Sequence, residues 1–299
     1  MSDSNWSERD EDHFRMFTAA AARQDDMPYQ TLDGRGIVIC SGGRYDVCTY
    51  VLMNRLRQLG CNLPVQIWYR GVRERNDVLQ EVLRPLGVEF ADAETVRESH
   101  PARILRGWEI KAYAMIHSPF REVMLLDADN VPVKDPTYLF DAAPYKKHGA
   151  VFWPDYERLQ PERKFWRACD VAYRDEPEFE TGQILVDKSR CWRALGLTMW
   201  INEYSDYYYG RVMHGDKETF HMAWLRLGQP YAMIPTPIHT LLHTMCQHDF
   251  DGQRVFQHRN FDKWSLDGNI RIEGFEGEDA CLELIEQYRR ELVRCPAAA

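Results

Sequence analysis

Three features of the sequence predict an α/β fold with a mainly parallel central sheet flanked by helices. Short apolar runs, Gly36 to Cys40, Pro64 to Tyr69 and Val123 to Leu126, alternate with segments of helical period. That is the pattern of β-α units joined by right-handed crossovers. The first run passes directly into Ser41-Gly42-Gly43-Arg44 and then a helix, a turn at which backbone can approach a phosphate or nucleotide closely. The third run has the composition of a strand buried on both faces and ends in Asp127-Ala128-Asp129. Two carboxylates are thereby delivered to the carboxyl end of a central strand, where open α/β sheets bind ligands.

The elements follow in order. Residues 1–34 read as an N-terminal helical extension, with Phe14, Phe17 and Ala21 on one stripe. The domain proper spans 35–275 and opens with the strand over Gly36 to Cys40. Asp46 to Leu59 is the next helix, with Leu52, Leu56 and Leu59 on one face and Gly60 as its stop. Pro64 to Tyr69 is a strand, Asn76 caps a helix bearing Val78, Leu79, Val82 and Leu83, and Val88 to Phe90 is a short strand. Trp108, Ala112, Met115 and Ile116 mark the apolar face of a helix that carries Lys111, whose ammonium either reaches a diphosphate or stays solvated. After the aspartate pair, Val151 to Trp153 is a strand, and 154–178 reads as a variable surface segment. Glu180-Thr181-Gly182-Gln183 leads into the strand Ile184 to Asp187, and a long helical region with Trp192, Leu195 and Trp200 follows. Asp216 is placed to cap a helix whose buried face is Phe220, Ala223, Trp224 and Leu227. Tyr231 to Pro235 is a strand, and His248 to Gly252 is a turn. Residues 276–299 form a C-terminal helix and tail with Cys281, Ile285, Tyr288 and Leu292 inward.

The 299 residues, 44% of them apolar, suffice for a sizeable core. A net charge of −9 argues against binding nucleic acid through bulk charge. No apolar run is long enough to span a membrane, and the first residues are polar and acidic, so a cytoplasmic protein is expected. The eight cysteines are scattered without C-x-x-C, which favours buried thiols over a disulfide framework or a zinc site.

Two carboxylates side by side repel unless a cation sits between them. Mg²⁺ or Mn²⁺ suits such ligands and is often shared with substrate phosphates. If the strand geometry persists through Asp129, both side chains point to one side. The bland reading of Asp-x-Asp is a turn or a helix cap. The functional readings are a metal-dependent sugar-nucleotide transferase and a haloacid-dehalogenase-type phosphatase. The phosphatase carries its aspartate pair near the start of the chain and a further acidic pair later, and neither holds here. An EF-hand would need a ligand and a glycine where Val131 and Pro132 stand. A non-catalytic, cation-dependent carbohydrate-binding protein is the remaining alternative. The isolated histidines His239, His243 and His248 read as structural.

The stretches VMLLDADNVPVKDPTYLF, ETGQILVDKSRCWRAL and GDKETFHMAWLRLGQPYAMIP, in that order, resemble the fungal Golgi α-mannosyltransferase family, glycosyltransferase family 71. The resemblance implies a GT-A fold, a divalent metal, a nucleotide-mannose donor and retention of anomeric configuration. GDP-mannose is then favoured over a UDP-hexose, and the acceptor is a glycan, glycolipid or glycoside. Fungal members carry an N-terminal membrane span and stalk, which this sequence does not show. More distantly the layout is similar to the glycogenin-like family 8, which implies that His258 joins Asp127 and Asp129 on the metal and that Lys263 meets the diphosphate. On this reading Ser41, Gly42, Gly43 and Arg44 line the nucleotide pocket, and Lys111 or Lys217 adds positive charge to the leaving group. Glu180 and Gln183 lie near the reacting face of the sugar, and Asp216 holds sugar or acceptor hydroxyls.

Overall fold

The structure, a computed structural model, describes residues 6–23 and 32–294. The first half runs α1 (Glu8–Ala22), β1 (Asp33–Cys40), α2 (Asp46–Gln58), β2 (Val65–Tyr69), α3 (Asp77–Leu83), β3 (Val88–Asp92), α4 (Ala93–Ser99), α5 (Glu109–His117), β4 (Phe120–Asp127) and β5 (Asn130–Pro132). The second half begins with α6 (Ala143–His148), β6 (Ala150–Arg158), α7 (Phe165–Ala168), β7 (Pro177–Asp187), α8 (Lys188–Glu203), α9 (Ser205–Tyr208) and α10 (Asp216–Leu227). It closes with β8 (Ala232–Met233), β9 (His239–Leu241), β10 (Thr244–His248), β11 (Arg254–His258) and α11 (Glu278–Arg294).

Seven strands form the central sheet in the order β3-β2-β1-β4-β7-β6-β8, parallel except for β7. The continuous apolar runs are explained by burial on both faces. Val38, Val123, Leu125, Ile184 and Val186 point into a core shared with α5, α8 and α10. Ile37, Ile39, Met124, Leu126 and Leu185 point into a second core closed by α2 and α11. Each such side chain gains about 1.5–3 kcal/mol by leaving water. A second, antiparallel sheet of order β5-β11-β10-β9 stands beside the carboxyl end of β4.

Several expectations need correction. The strand does not persist through Asp129: β4 ends at Asp127, Ala128 and Asp129 form a turn, and β5 joins the other sheet. Segment 154–178 is not merely surface, because β6 runs on to Arg158 and α7 buries Phe165 and Trp166. Asp216 does not cap α10. Gly215 occupies the cap position, and Glu218 reaches back to accept the N–H groups of His214 (3.0 Å) and Gly215 (3.1 Å). Trp108 is not part of a buried helix face but stands 52% exposed. The predicted sequence elements also omit α4, which Asp92 caps by accepting the Glu94 N–H. The cysteines other than Cys295, which lies outside the described residues, are free thiols. No helix among the described residues is long and apolar enough to cross a membrane.

The N-terminal helix docks by its predicted stripe. Phe17 and Ala21 are buried, and the His13 ring stacks on Tyr207 at 3.5 Å. Asp10 accepts hydrogen bonds from Tyr207 (2.8 Å) and Arg211 (2.9 Å). Burial opposes its charge, but Arg211, Ser7 and Tyr207 outweigh that and hold the carboxyl well below the usual carboxylate range. A depressed folded-state value stabilises docking above the unfolded value, near pH 4, and the stabilisation is lost as pH falls further. The protection factors of the α1 amides, which divide out the intrinsic pH dependence of exchange, should therefore fall below about pH 4 in the wild type. In Asp10→Asn they should be low at neutral pH and unchanged by acid.

Candidate active site

The carboxyl ends of β1, β4 and the returning β11 meet at one place. Cys40 pairs with Asp127 across the β1–β4 ladder, and His258 lies opposite Asn130 across β5–β11. These pairings bring Asp127, Asp129 and His258 together, with one ligand atom of each within 4.8 Å of the others. The aspartates thus converge through the turn rather than through a shared strand face. His258 Nε2 lies 3.1 Å from Asp129 Oδ1, and its Nδ1 faces Glu180 at 3.5 Å. Glu180 also accepts the Gly182 N–H at 2.7 Å. An imidazole backed by a carboxylate on its far nitrogen has the orientation typical of a metal ligand.

Two lysines flank the aspartates. Lys111, buried on α5, lies 2.9 Å from Asp127 and 3.2 Å from Asp216, and donates to the Thr181 carbonyl at 3.4 Å. Lys263 pairs with Asp129 and lies 5.5 Å from the Tyr45 ring centre, next to the glycine turn. Burial pushes the Asp127 carboxyl up to about 6, against the pull of Lys111 and with repulsion from Asp129. Asp129 is buried too, but His258 and Lys263 hold it well below the usual range. Burial works against the His258 imidazolium, yet Asp129 and Glu180 raise it to about 10. The site is a set of alternating charges, largely but not wholly buried, where pairing matters more than in water.

The predicted residues separate into groups. Asp127, Asp129, His258, Lys111, Lys263, Glu180 and Asp216 are brought together by the contacts above. Ser41 is buried and bonded to Thr49, and Arg44 packs over Tyr45. Gly42, at φ 138°, has the Glu74 side chain against it, and Gly43, at φ 57°, is open. The turn therefore uses both glycines for conformations that L side chains rarely adopt. Gln183 is fully buried and presents no surface to a substrate; its amide oxygen accepts from Asn130 at 3.2 Å. Lys217 goes to Asp155 and Glu178 instead of the aspartate pair. Neither of these two therefore takes its expected place. His239, His243 and His248 join no metal-ligand cluster among the described residues.

Three contributing residues were missed in the sequence. Asn130 donates to the Gly182 carbonyl and to Gln183, fixing the turn against β7. Thr181 donates to Asp216 at 2.8 Å. A Cβ on Gly182 would fall 2.6 Å from His258 and 2.7 Å from Glu180, so only glycine leaves room for that pair. A glycine inside a strand signals such close approach, and it was available to be read.

A family profile describing mannosyltransferases matches residues 34–176 and 170–258, which is most of the domain that builds this site. The chain belongs to that mannosyltransferase family. Among curated relatives, the α-1,2-mannosyltransferase MNN21 of Candida albicans is 26% identical over 278 residues, covering 73% of this chain and 42% of the relative. MNN24 of the same organism is 28% identical, covering 68% of this chain and 34% of its own length. The chain therefore spans less than half of either relative. The solved glycosyltransferase GlyE of Streptococcus pneumoniae superposes with a TM-score of 0.54 at 13% identity, over 88% of this chain and 63% of that one. The bifunctional glycosyltransferase WbbM gives 0.51 at 11% identity, over 90% and 53%. The mannosyltransferase family member described here has the GT-A fold of glycosyltransferases.

The donor set of two carboxylates and one imidazole fits a divalent cation. The nitrogen ligand suits Mn²⁺ better than Mg²⁺, which prefers an all-oxygen shell.

Lys111 neutralises two buried carboxylates at once, so its loss leaves uncompensated charge. Lys111→Met should lower the stability of the metal-free protein by about 3–5 kcal/mol at pH near 8. Asp127, already pushed up to about 6, should rise further without Lys111. A raised carboxyl stabilises the fold below its unfolded value and loses that contribution as pH rises through the folded value. The deficit in urea melts should therefore shrink on going to about pH 5.

Proposed function

We propose that the protein is a metal-dependent, retaining α-mannosyltransferase that moves mannose from GDP-mannose to a hydroxyl of a glycan, glycolipid or glycoside. The observation that carries this reading is the Asp127, Asp129, His258 cluster between Lys111 and Lys263, set beside the glycine turn at the carboxyl end of β1. The family membership and the names of the relatives support the sugar.

On this reading Asp127, Asp129 and His258 would hold Mn²⁺, which when bound would supply positive charge against the negative charge developing on the departing nucleoside diphosphate. Lys263 sits on the side of the glycine turn, placed to receive the diphosphate and to stabilise its charge in the transition state. Glu180 orients His258, and Asn130 with Gly182 keeps the aspartate turn in register. Asp216, anchored by Lys111 and Thr181, meets a sugar hydroxyl. Retention needs either a protein nucleophile or attack from the leaving-group side. Gln183 is out of reach, and the Glu180 and Asp216 carboxylates are both engaged by donors, which lowers their nucleophilicity. That supports front-face attack by the acceptor hydroxyl as the diphosphate leaves.

Titration calorimetry with GDP and UDP, each with and without Mn²⁺, tests the reading. GDP should bind at least about tenfold tighter with Mn²⁺ than without, and tighter than UDP. Asp129→Ala should remove the metal dependence and cut GDP-mannose turnover by about 100-fold or more. A preference for UDP moves the donor to a UDP-hexose. Retained metal-dependent binding in Asp129→Ala overturns the assignment of the cation site.

A further inference from the structure

Trp108 belongs to no step described so far, yet it stands at the mouth of the site. It lies one helical turn ahead of Lys111, which bridges Asp127 and Asp216. Its ring packs on Gly215, the residue before Asp216, and on Tyr209 at 6.1 Å between centroids. Even so it remains 52% exposed. Single exposed apolar side chains are ordinary on protein surfaces. Two features set this one apart.

The first is that the turn carrying it is held rigidly. The buried Glu109 carboxylate accepts the N–H groups of Gly107 (2.5 Å) and Arg106 (3.3 Å). An exposed ring on a fixed turn loses little entropy when something stacks on it. The second is Gly215. Its φ of −173° is extended backbone that any residue adopts, so glycine is not needed for conformation. A Cβ there would instead meet two Trp108 ring atoms at 3.2 Å. The missing side chain leaves room for the indole against the segment that ends in Asp216.

Trp108 stands at the amino end of α5, which packs on β1 and β4, while its ring partners Tyr209 and Gly215 precede α10, which packs on β7. Through Gly215 the ring flanks Asp216.

Resting on the mannosyltransferase reading, we propose that Trp108 is the platform for the acceptor sugar. Its exposed indole face stacks on the C–H face of an acceptor hexopyranoside, while Asp216 takes a hydroxyl of the same ring. Stacking of this kind gives a large contact area at small entropic cost.

Methyl α-mannoside is the probe, with Mg²⁺ and GDP present for binding and Mn²⁺ and GDP-mannose for turnover. Saturation-transfer NMR should show contact between the wild-type protein and the sugar ring C–H protons, lost in Trp108→Ala and kept in Trp108→Phe. In Trp108→Ala the acceptor KM should rise roughly 10- to 100-fold, with Trp108→Phe recovering most of it. Hydrolysis of GDP-mannose to water and the affinity for GDP should stay within about twofold of wild type. Absence of saturation transfer in the wild type, or an unchanged acceptor KM in Trp108→Ala, overturns the platform. So does a parallel loss of donor hydrolysis and GDP affinity in Trp108→Ala, which would place the ring on the donor. Failure of the wild type to bind or hydrolyse GDP-mannose is a different result and removes the mannosyltransferase reading itself.

Discussion

The pairing of β5 with β11 is the constraint on which the site depends. Three residues of β5 face three of β11, and the last pair sets His258 opposite Asn130. One residue before Asn130 is Asp129, and its carbonyl accepts the N–H of Arg259, one residue beyond His258, at 3.1 Å. The ladder therefore fixes the positions of both Asp129 and His258 from the backbone, before any side chain chooses a rotamer. Closing so long a loop costs conformational entropy, though the cost grows only slowly with length. Burial of Val131, Val255 and Phe256 offsets it. Arg259 extends the control past the strand. Its guanidinium is fully buried over Trp264, 3.8 Å from the ring centre, and bonds to Asp262. This holds the loop that returns Lys263 to Asp129.

The charges obey a related constraint. Buried carboxylates are expensive unless paired, and here each is paired on a different side. Asp129 has two cationic neighbours and stays ionised, while Asp127 shares Lys111 with Asp216 and is pushed up to about 6. The turn at Ala128 makes this division possible. Had the strand continued, both carboxylates would face one partner set. By turning, the chain gives Asp127 to the central sheet and α5, and Asp129 to the antiparallel sheet. A cation between them would join the two halves of the molecule as well as the two side chains.

Much of this was legible in the sequence because it depends on local pattern. A run apolar at every position, such as Val123 to Leu126, announces a strand buried on both faces, and the alternation of Met124 and Leu125 between the two cores bears that out. Asp127 and Asp129 were legible because a polar pair directly after such a run has no packing role. What escaped depends on contacts distant in sequence. Asp216 looked like a cap because Asp before an amphipathic helix usually is one. Glu218, two residues further on, performs that task and frees Asp216 for Lys111 and Thr181. Gln183 looked reachable because it follows Glu180. Gln183, however, lies further along β7, opposite Leu126 of β4, where it is fully buried and covered by Asn130. Lys217 could not be placed, because its partners Asp155 and Glu178 stand on the neighbouring strands β6 and β7. Trp108 fitted the helix period, but the residues that would have covered it are Gly215, with no side chain, and Tyr209.

The two glycines nearest the carboxylates show how much of the site lies in what is missing. Gly182 and Gly215 lie outside the positive-φ region, unlike Gly42 and Gly43 in the turn after β1. Their role is steric. At Gly182 the space of a Cβ is taken by His258 and Glu180, so the strand can lie against that pair. At Gly215 it is taken by Trp108, so the segment before α10 can lie against the indole. Between them, Thr181 donates to Asp216, tying the residue beside one glycine to the residue beside the other. Lys111 spans the same junction from below through Asp127, Asp216 and the Thr181 carbonyl. A short chain of hydrogen-bonded and ion-paired side chains thus links the two glycine positions. Such charge-assisted bonds are stronger where water is largely excluded than in bulk water, so the segment around Gly182 and the segment around Gly215 are held in one frame.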